Sequence, residues 1–310
     1  MARAALFALV CLRAACLQRP SSLTAARGPA LAASAGASDD ESLTLLYDSK
    51  CWACQWEVDH LTSNGADMGF VDIEADDYDG VVSYADGMRS IRAVRGGGEV
   101  LTGPDAFRAA YARARPTALG AFWALGETPP LRPLVDGGYA AFAALRPWLT
   151  RGASVEALAA AAATDRARRG VAACARDRDV SGGAVADALD ALRAARPCPP
   201  TRASFAGRWE LVWTSSLARV PFLGGYMPNR ELLTWDLDRG RLDLEVEILP
   251  AFPKLAVVGE RLEFADSTLT YVVGEGKPPS SWAVFHADGD VVCADSSVTG
   301  TNVIRRVGPD

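Results

Sequence analysis

From Phe205 onward the apolar residues fall at every second position, and nothing else in this 310-residue chain restricts its fold as strongly. Trp209, Leu211 and Trp213 alternate with Glu210, Val212 and Thr214, and Leu242, Leu244, Val246 and Ile248 alternate with Asp243, Glu245 and Glu247. Alternation of this kind buries one face of a strand and wets the other, the signature of antiparallel sheet. Runs near 209–214, 231–237, 241–249, 254–264, 267–273, 281–286, 290–295 and 301–307 predict about eight strands, with turns such as Arg239-Gly240 and Asp288-Gly289 between them. Eight strands suit a small closed barrel, whose interior holds side chains or one small apolar ligand.

The rest of the chain reads differently. With 49% hydrophobic and 23% charged residues over this length, two folded domains are expected. Leu43–Tyr47 is a buried strand, Asp48-Ser-Lys-Cys51-Trp-Ala-Cys54 turns into a helix through Leu61, and Gly69–Ile73 is the next strand. A hairpin of Met88–Val94 and Glu99–Thr102 about Gly96-Gly-Gly98 follows, then a helix from Pro104 to Ala114. From Ser154 the chain is Ala-rich and helical, with a second helical stretch from Gly183 to Ala195 ended by Pro197-Cys-Pro-Pro200. The expected fold is an α/β thioredoxin-like domain over 42–150, then an α-helical lead-in and an antiparallel lipocalin-like β-barrel over 153–307.

Strand, CxxC, helix is the order a dithiol redox site requires. Cys51 at a helix start feels the positive end of the backbone dipole, and Lys50 adds a cation; both favour thiolate, so Cys51 is the expected nucleophile. Cys54, one turn on, is the resolving thiol. Asp48 is either a proton relay to Cys54 or a turn residue. The same spacing also arises as half a zinc site or as two redox-silent core cysteines. Cys174, Cys198 and Cys293 are isolated, and His60 and His286 are the chain's two histidines, so no metal site is expected and little material is left for a His-based triad. The redox group is the Cys51/Cys54 disulfide itself, with no further cofactor.

Asp48-x-x-Cys51-x-x-Cys54 after an apolar strand, Phe70-Val-Asp-Ile73, Met88-Arg-Ser-Ile91 and Gly98-Glu-Val-Leu-Thr-Gly103-Pro-Asp-Ala-Phe107 together resemble the DCC family of predicted thiol-disulfide oxidoreductases. The likeness covers most of 43–150 and extends through Pro129-Pro-Leu131, Tyr139 and Arg146. Ser49 stands where the family usually has Gly, and no proline precedes Met88 where thioredoxins place a cis-Pro. The resemblance implies dithiol–disulfide exchange with a protein partner.

In the barrel half, Gly207-Arg-Trp209 matches the Gly-x-Trp that opens lipocalin-like barrels, where the Trp closes one end and an Arg of the last strand, Arg305 or Arg306, stacks on it. Trp209 as plain core fits the triplet equally well. Thr164-Asp-Arg166, Asp187–Ala194, Pro197–Pro200, Gly207-Arg-Trp209-Glu-Leu-Val-Trp213-Thr-Ser-Ser216, Gly300 and Val303-Ile-Arg-Arg306 resemble the plastid lipid-associated, or fibrillin, family, with Trp213 in place of its usual Tyr. That likeness implies a barrel binding lipids or isoprenoid-type molecules at thylakoids or plastoglobules, with Gly207, Trp209, Trp213 and Arg305 as barrel-site residues. Phe222, Leu223, Tyr226 and Met227 form an apolar cluster that is either a lid or membrane-touching edge, or a loop packed on the core. No catalytic group is expected here; His286 and Cys293 are read as core residues, and Cys174 and Cys198 as free thiols.

Charge adds an address. Residues 1–38 hold Arg3, Arg13, Arg19 and Arg27 and no acid, which reads as a plastid targeting segment, a mitochondrial presequence or a disordered tail, with the plastid preferred. Its removal would leave 28 basic against 38 acidic residues, a net charge of about −10, so nucleic acid is not an expected partner. The expected function is plastid thiol–disulfide exchange fused to a lipid- or isoprenoid-binding module; the alternative is a non-enzymatic lipid-associated protein with a vestigial or regulatory dithiol domain.

Overall fold

The computed structural model describes residues 42–205, 207–220, 222–247 and 254–308. The Arg-rich leader and positions 248–249 of the third expected strand lie outside them. The architecture is the one expected: a mixed α/β domain, then helices, then a closed antiparallel barrel.

In the first domain β1 (Leu43–Tyr47), α1 (Trp52–Ser63) and β2 (Gly69–Asp72) form a parallel crossover unit. Next come α2 (Tyr84–Arg89), the hairpin β3 (Arg92–Arg95) and β4 (Val100–Thr102), and α3 (Pro104–Tyr111). The sheet order is β2-β1-β3-β4, with β1 central and β3 antiparallel to it. One side of the sheet packs Leu43, Leu45 and Ala93 against Leu61, Ala106, Ala110 and Tyr111 of the helices. Met88, expected in a strand, is helical: the Ser83 hydroxyl caps α2 by accepting from the Asp86 N–H, and the chain becomes extended only from Arg92.

Two further helices, α4 (Ala118–Leu125) and α5 (Arg132–Arg151), complete this half, and Gly152 ends α5 in the left-handed region at φ 70°. The chain then enters α6 (Val155–Asp177), capped by Ser154, and α7 (Gly182–Ala195), capped by Ser181. Helix α6 serves two cores. Leu158 near its start packs with Leu46, Ile73, Val82, Tyr84 and Met88 on the second side of the sheet. Val171, Cys174 and Ala175 near its end pack with α7 against the barrel wall.

The barrel comprises β5 (Arg208–Thr214), β6 (Tyr226–Asp236), β7 (Arg241–Glu247), β8 (Leu255–Ala265), β9 (Thr268–Val272), β10 (Ser280–Ala287), β11 (Val291–Ser296) and β12 (Gly300–Val307). Each expected run is found, and pairing of β12 with β5 and of β9 with β10 closes the ring. Its core is dense with aromatic side chains: Phe205, Trp209, Trp235 and Trp282, with Phe264 and Tyr271 packed against them. A bulge breaks the period of two in β5: opposite β12, Val303 pairs with Trp213 but Ile304 pairs with Leu211, so Val212 is the extra residue. Trp213 is thereby turned out of the barrel into the layer beneath α6 and α7, beside Phe285, Val291 and Val303.

Trp209 is fully buried, and its indole N–H donates to the Phe205 carbonyl at 3.1 Å. Trp209→Ala should therefore cost about 3–5 kcal/mol, read as a lower urea midpoint of the barrel transition, with Trp209→Phe losing less.

Candidate active site

The turn after β1 places the two cysteines. Cys51 N–H donates to the Asp48 carbonyl at 3.0 Å, and Cys51 becomes the N-cap of α1 with Sγ accepting from the Cys54 N–H at 3.4 Å. Both thiols are free and buried, with Cys51 at 0% and Cys54 at 5% exposure. The end of α5 lies over them. Arg146 Nη1 donates to Cys54 Sγ at 3.5 Å, its Nη2 donates to the carbonyl of Gly87 at 3.1 Å and to that of Met88, and Thr150 faces the Cys51 sulfur.

These contacts divide the two sulfurs. The hydrogen bond from the Cys54 thiol, opposed by burial and aided by the Cys54 N–H, Thr150 and the Arg146 charge, lowers Cys51 to about 6. Donating to Cys51, and being buried, pushes Cys54 upward. The reduced pair is thus a thiolate at Cys51 held by a neutral Cys54.

An ion-pair network braces the turn. Arg151 Nη1 donates to both Asp48 oxygens at 2.9 Å and to Glu74 at 2.7 Å, and Lys50 Nζ meets the other Glu74 oxygen at 2.8 Å. Burial raises Asp48 despite Arg151. Burial opposes ionisation of Glu74 too, but hydrogen bonds from Lys50, Tyr84 and Arg151 outweigh it and leave this group lowered. Two sequence expectations change here. Lys50 is directed to Glu74 and not to the thiols; the cation beside them is Arg146, from a helix far along the chain. Asp48 is engaged on both oxygens by Arg151, which leaves it a brace of the turn more than a relay to Cys54.

Residues 45–152 match the family model for DCC1-like thiol-disulfide oxidoreductases. The match spans about a third of the chain. A protein of Arabidopsis thaliana, "Uncharacterized protein At5g50100, chloroplastic", is 30% identical over 131 residues, 40% of this chain and 60% of the relative's own length. No solved structure matches the chain.

Within the matched residues a further carboxyl was not anticipated from sequence. Glu57 follows Cys54 by three residues and precedes Leu61 by four, so all three share the buried face of α1, and Glu57 is only 8% exposed. The spacing itself was the available signal. Burial lifts Glu57 to about 7.

The barrel residues are placed as follows. Gly207 adopts φ 110°, and a Cβ there would meet Arg306 Nη1 at 2.8 Å. It is Arg306, not Arg305, whose guanidinium lies 4.3 Å above the Trp209 ring. Ile304 points into the barrel, so Arg305 points out, where it pairs with Glu210 at 2.8 Å and donates to the Ala175 carbonyl of α6. The Phe222 cluster divides: Phe222 is fully exposed, Leu223 half-buried, and Met227 joins the core. His286 is buried, with Nε2 3.2 Å from Asp288. Among the described residues no group of metal-ligating side chains is found.

A carboxyl raised in the folded state loses stability as pH climbs from its unfolded pKa to its folded one, because the unfolded chain releases the proton first. Glu57→Gln should therefore be more stable than wild type by about 3 kcal/mol at about pH 8 and nearly equal to it at about pH 4, as measured by urea denaturation at both pH values.

Proposed function

We propose that this protein catalyses thiol–disulfide exchange through Cys51 and Cys54, acting on a protein dithiol or disulfide in the plastid. The observation that carries the reading is the pair itself: a sulfur at a helix N-cap, accepting from the Cys54 N–H and lowered to about 6, next to a second, protonated thiol. The match of residues 45–152 supports the same chemistry, and the chloroplastic relative together with the acid-free, Arg-bearing leader supports the address.

In the reducing direction the Cys51 thiolate attacks a partner disulfide, forming a mixed disulfide and expelling one partner sulfur. Cys54 then loses its proton and attacks Cys51, forming the Cys51–Cys54 bond and releasing the second partner sulfur; two electrons pass to the partner. The oxidising direction is the reverse. Because Cys51 is fully buried, exchange requires the site to open, and the end of α5, which brings Arg146 to Cys54, lies beside it. Trp148 and Leu149, exposed beside Thr150, and Trp52, exposed between the cysteines, offer a partner apolar surface there. We read the barrel as a scaffold, since Trp209, Trp235, Trp282 and Phe205 pack together in its core.

The test is trapping. Cys54→Ser should accumulate a mixed disulfide at Cys51 in plastid extract, whereas Cys51→Ser and the double variant should not. If no species joined through Cys51 accumulates, and Cys51 and Cys54 form no disulfide in glutathione buffers of any ratio, the exchange reading is wrong.

A further inference from the structure

Two arginines of α5 reach the dithiol region, and they differ in one respect. Arg151 has carboxylate partners, Asp48 and Glu74. Arg146, 5% exposed, has none among the described residues: its donors go to two backbone carbonyls and to Cys54 Sγ. An arginine does not shed its proton in a protein, and a buried charge without a counter-ion is strongly unfavourable. The other groups near the dithiol are already committed. Asp48 and Glu74 are held by Arg151 and Lys50, the Tyr139 hydroxyl bonds Ser90 and the Ile91 N–H, the Tyr84 hydroxyl bonds Glu74, and Glu57, one turn beyond Cys54 on α1, is turned to Tyr111. The sulfur pair is what remains to balance Arg146.

We propose that the reduced dithiol is the counter-ion of Arg146, and that the Cys51–Cys54 pair therefore works as an electron acceptor, a disulfide that oxidises two thiols of a partner protein. The proposal rests on the exchange reading above and adds its direction and a catalytic residue. Oxidation of the dithiol removes the negative charge and leaves the guanidinium uncompensated, so the disulfide is the less favourable state and takes electrons readily. Arg146 also touches the sulfur that must leave. A partner thiolate attacks Cys51, the Cys51–Cys54 bond breaks, and its electron pair goes to Cys54 Sγ, 3.5 Å from Nη1. A stabilised leaving sulfur leaves faster. The partner's second thiolate then attacks its own bridged sulfur and releases Cys51 as thiolate. The partner gives up two electrons and two protons; one proton goes to Cys54 and the other to solvent. A small-molecule disulfide such as glutathione disulfide can restore the Cys51–Cys54 bond.

The experiment equilibrates the full chain with glutathione and glutathione disulfide and measures the fraction carrying the Cys51–Cys54 bond by mass spectrometry of trapped thiols. Arg146→Met should increase the equilibrium constant for forming that disulfide by about tenfold or more at about pH 8, equivalent to about 30 mV for a two-electron couple. Near pH 5, where Cys51 is protonated in both proteins, the two constants should converge. Arg146→Lys, which keeps the charge, should stay within about threefold of wild type at both pH values. A purely structural role for Arg146 would not give this pH dependence. Unchanged constants in Arg146→Met at both pH values, with the disulfide still forming, would overturn the assignment of Arg146 while leaving the exchange reading intact; no disulfide at any buffer ratio would overturn the exchange reading itself. Wild type alone supplies a second readout should Arg146→Met not fold: the reduced protein should have the higher urea midpoint at about pH 8, with the gap narrowing towards pH 5. An oxidised form more stable than the reduced form at about pH 8 would refute the proposal.

Discussion

The last turns of α5 hold the dithiol under cover, and the geometry of the redox half follows from how they do so. Arg151 clamps the turn that carries the cysteines, through Asp48 and Glu74, while Arg146 ties the carbonyls of Gly87 and Met88 to Cys54. Thr150 lies between them, facing the Cys51 sulfur, with its hydroxyl donating to the Arg146 carbonyl at 2.8 Å. A single helix end thus braces the turn that carries both sulfurs and sets a cation beside them. Protection and reactivity come from the same contacts, so any partner must displace part of what makes Cys51 reactive.

Helix α6 links this arrangement to the barrel. It follows α5 after the short break at Gly152–Ser154, gives Leu158 to the redox domain, and gives Val171, Cys174 and Ala175 to the layer outside the barrel. On the barrel side it is fastened by polar contacts as well. Glu210, buried on β5, accepts from Arg178 just beyond α6 and from Arg305, which also donates to the Ala175 carbonyl. Because buried apolar contacts at each end anchor the same helix, a movement of α5 that opens the dithiol would work against a rigid support and not a loose linker.

Much of this was legible in the residues. The eight strands were found where the alternation put them, because a half-buried strand has to alternate; the CxxC stood at a helix start, because the local order of strand, turn and helix is written within a dozen residues. The misreadings share a cause. Lys50 is adjacent to Cys51 in sequence yet turns to Glu74, and Trp213 keeps the alternation on paper yet is rotated outward by the bulge at Val212. Arg305 and Arg306 could not be told apart until the direction of Ile304 was known. Glu57 was visible only as a spacing, since a carboxylate on a helix is ordinarily solvated.

By itself, then, the sequence determined most of the elements, the order of the two halves, the thiol pair and the family likeness of the first half, all of which depend on neighbours within one strand or helical turn. The tertiary structure alone decided which charges meet the sulfurs, that the dithiol lies covered, and that Trp209, Trp235 and Trp282 meet in the barrel core. The physical reason is range: periodicity and capping act between residues a few positions apart, whereas the cation at Cys54 comes from 92 positions away and is brought there only by packing of α5 onto the sheet domain.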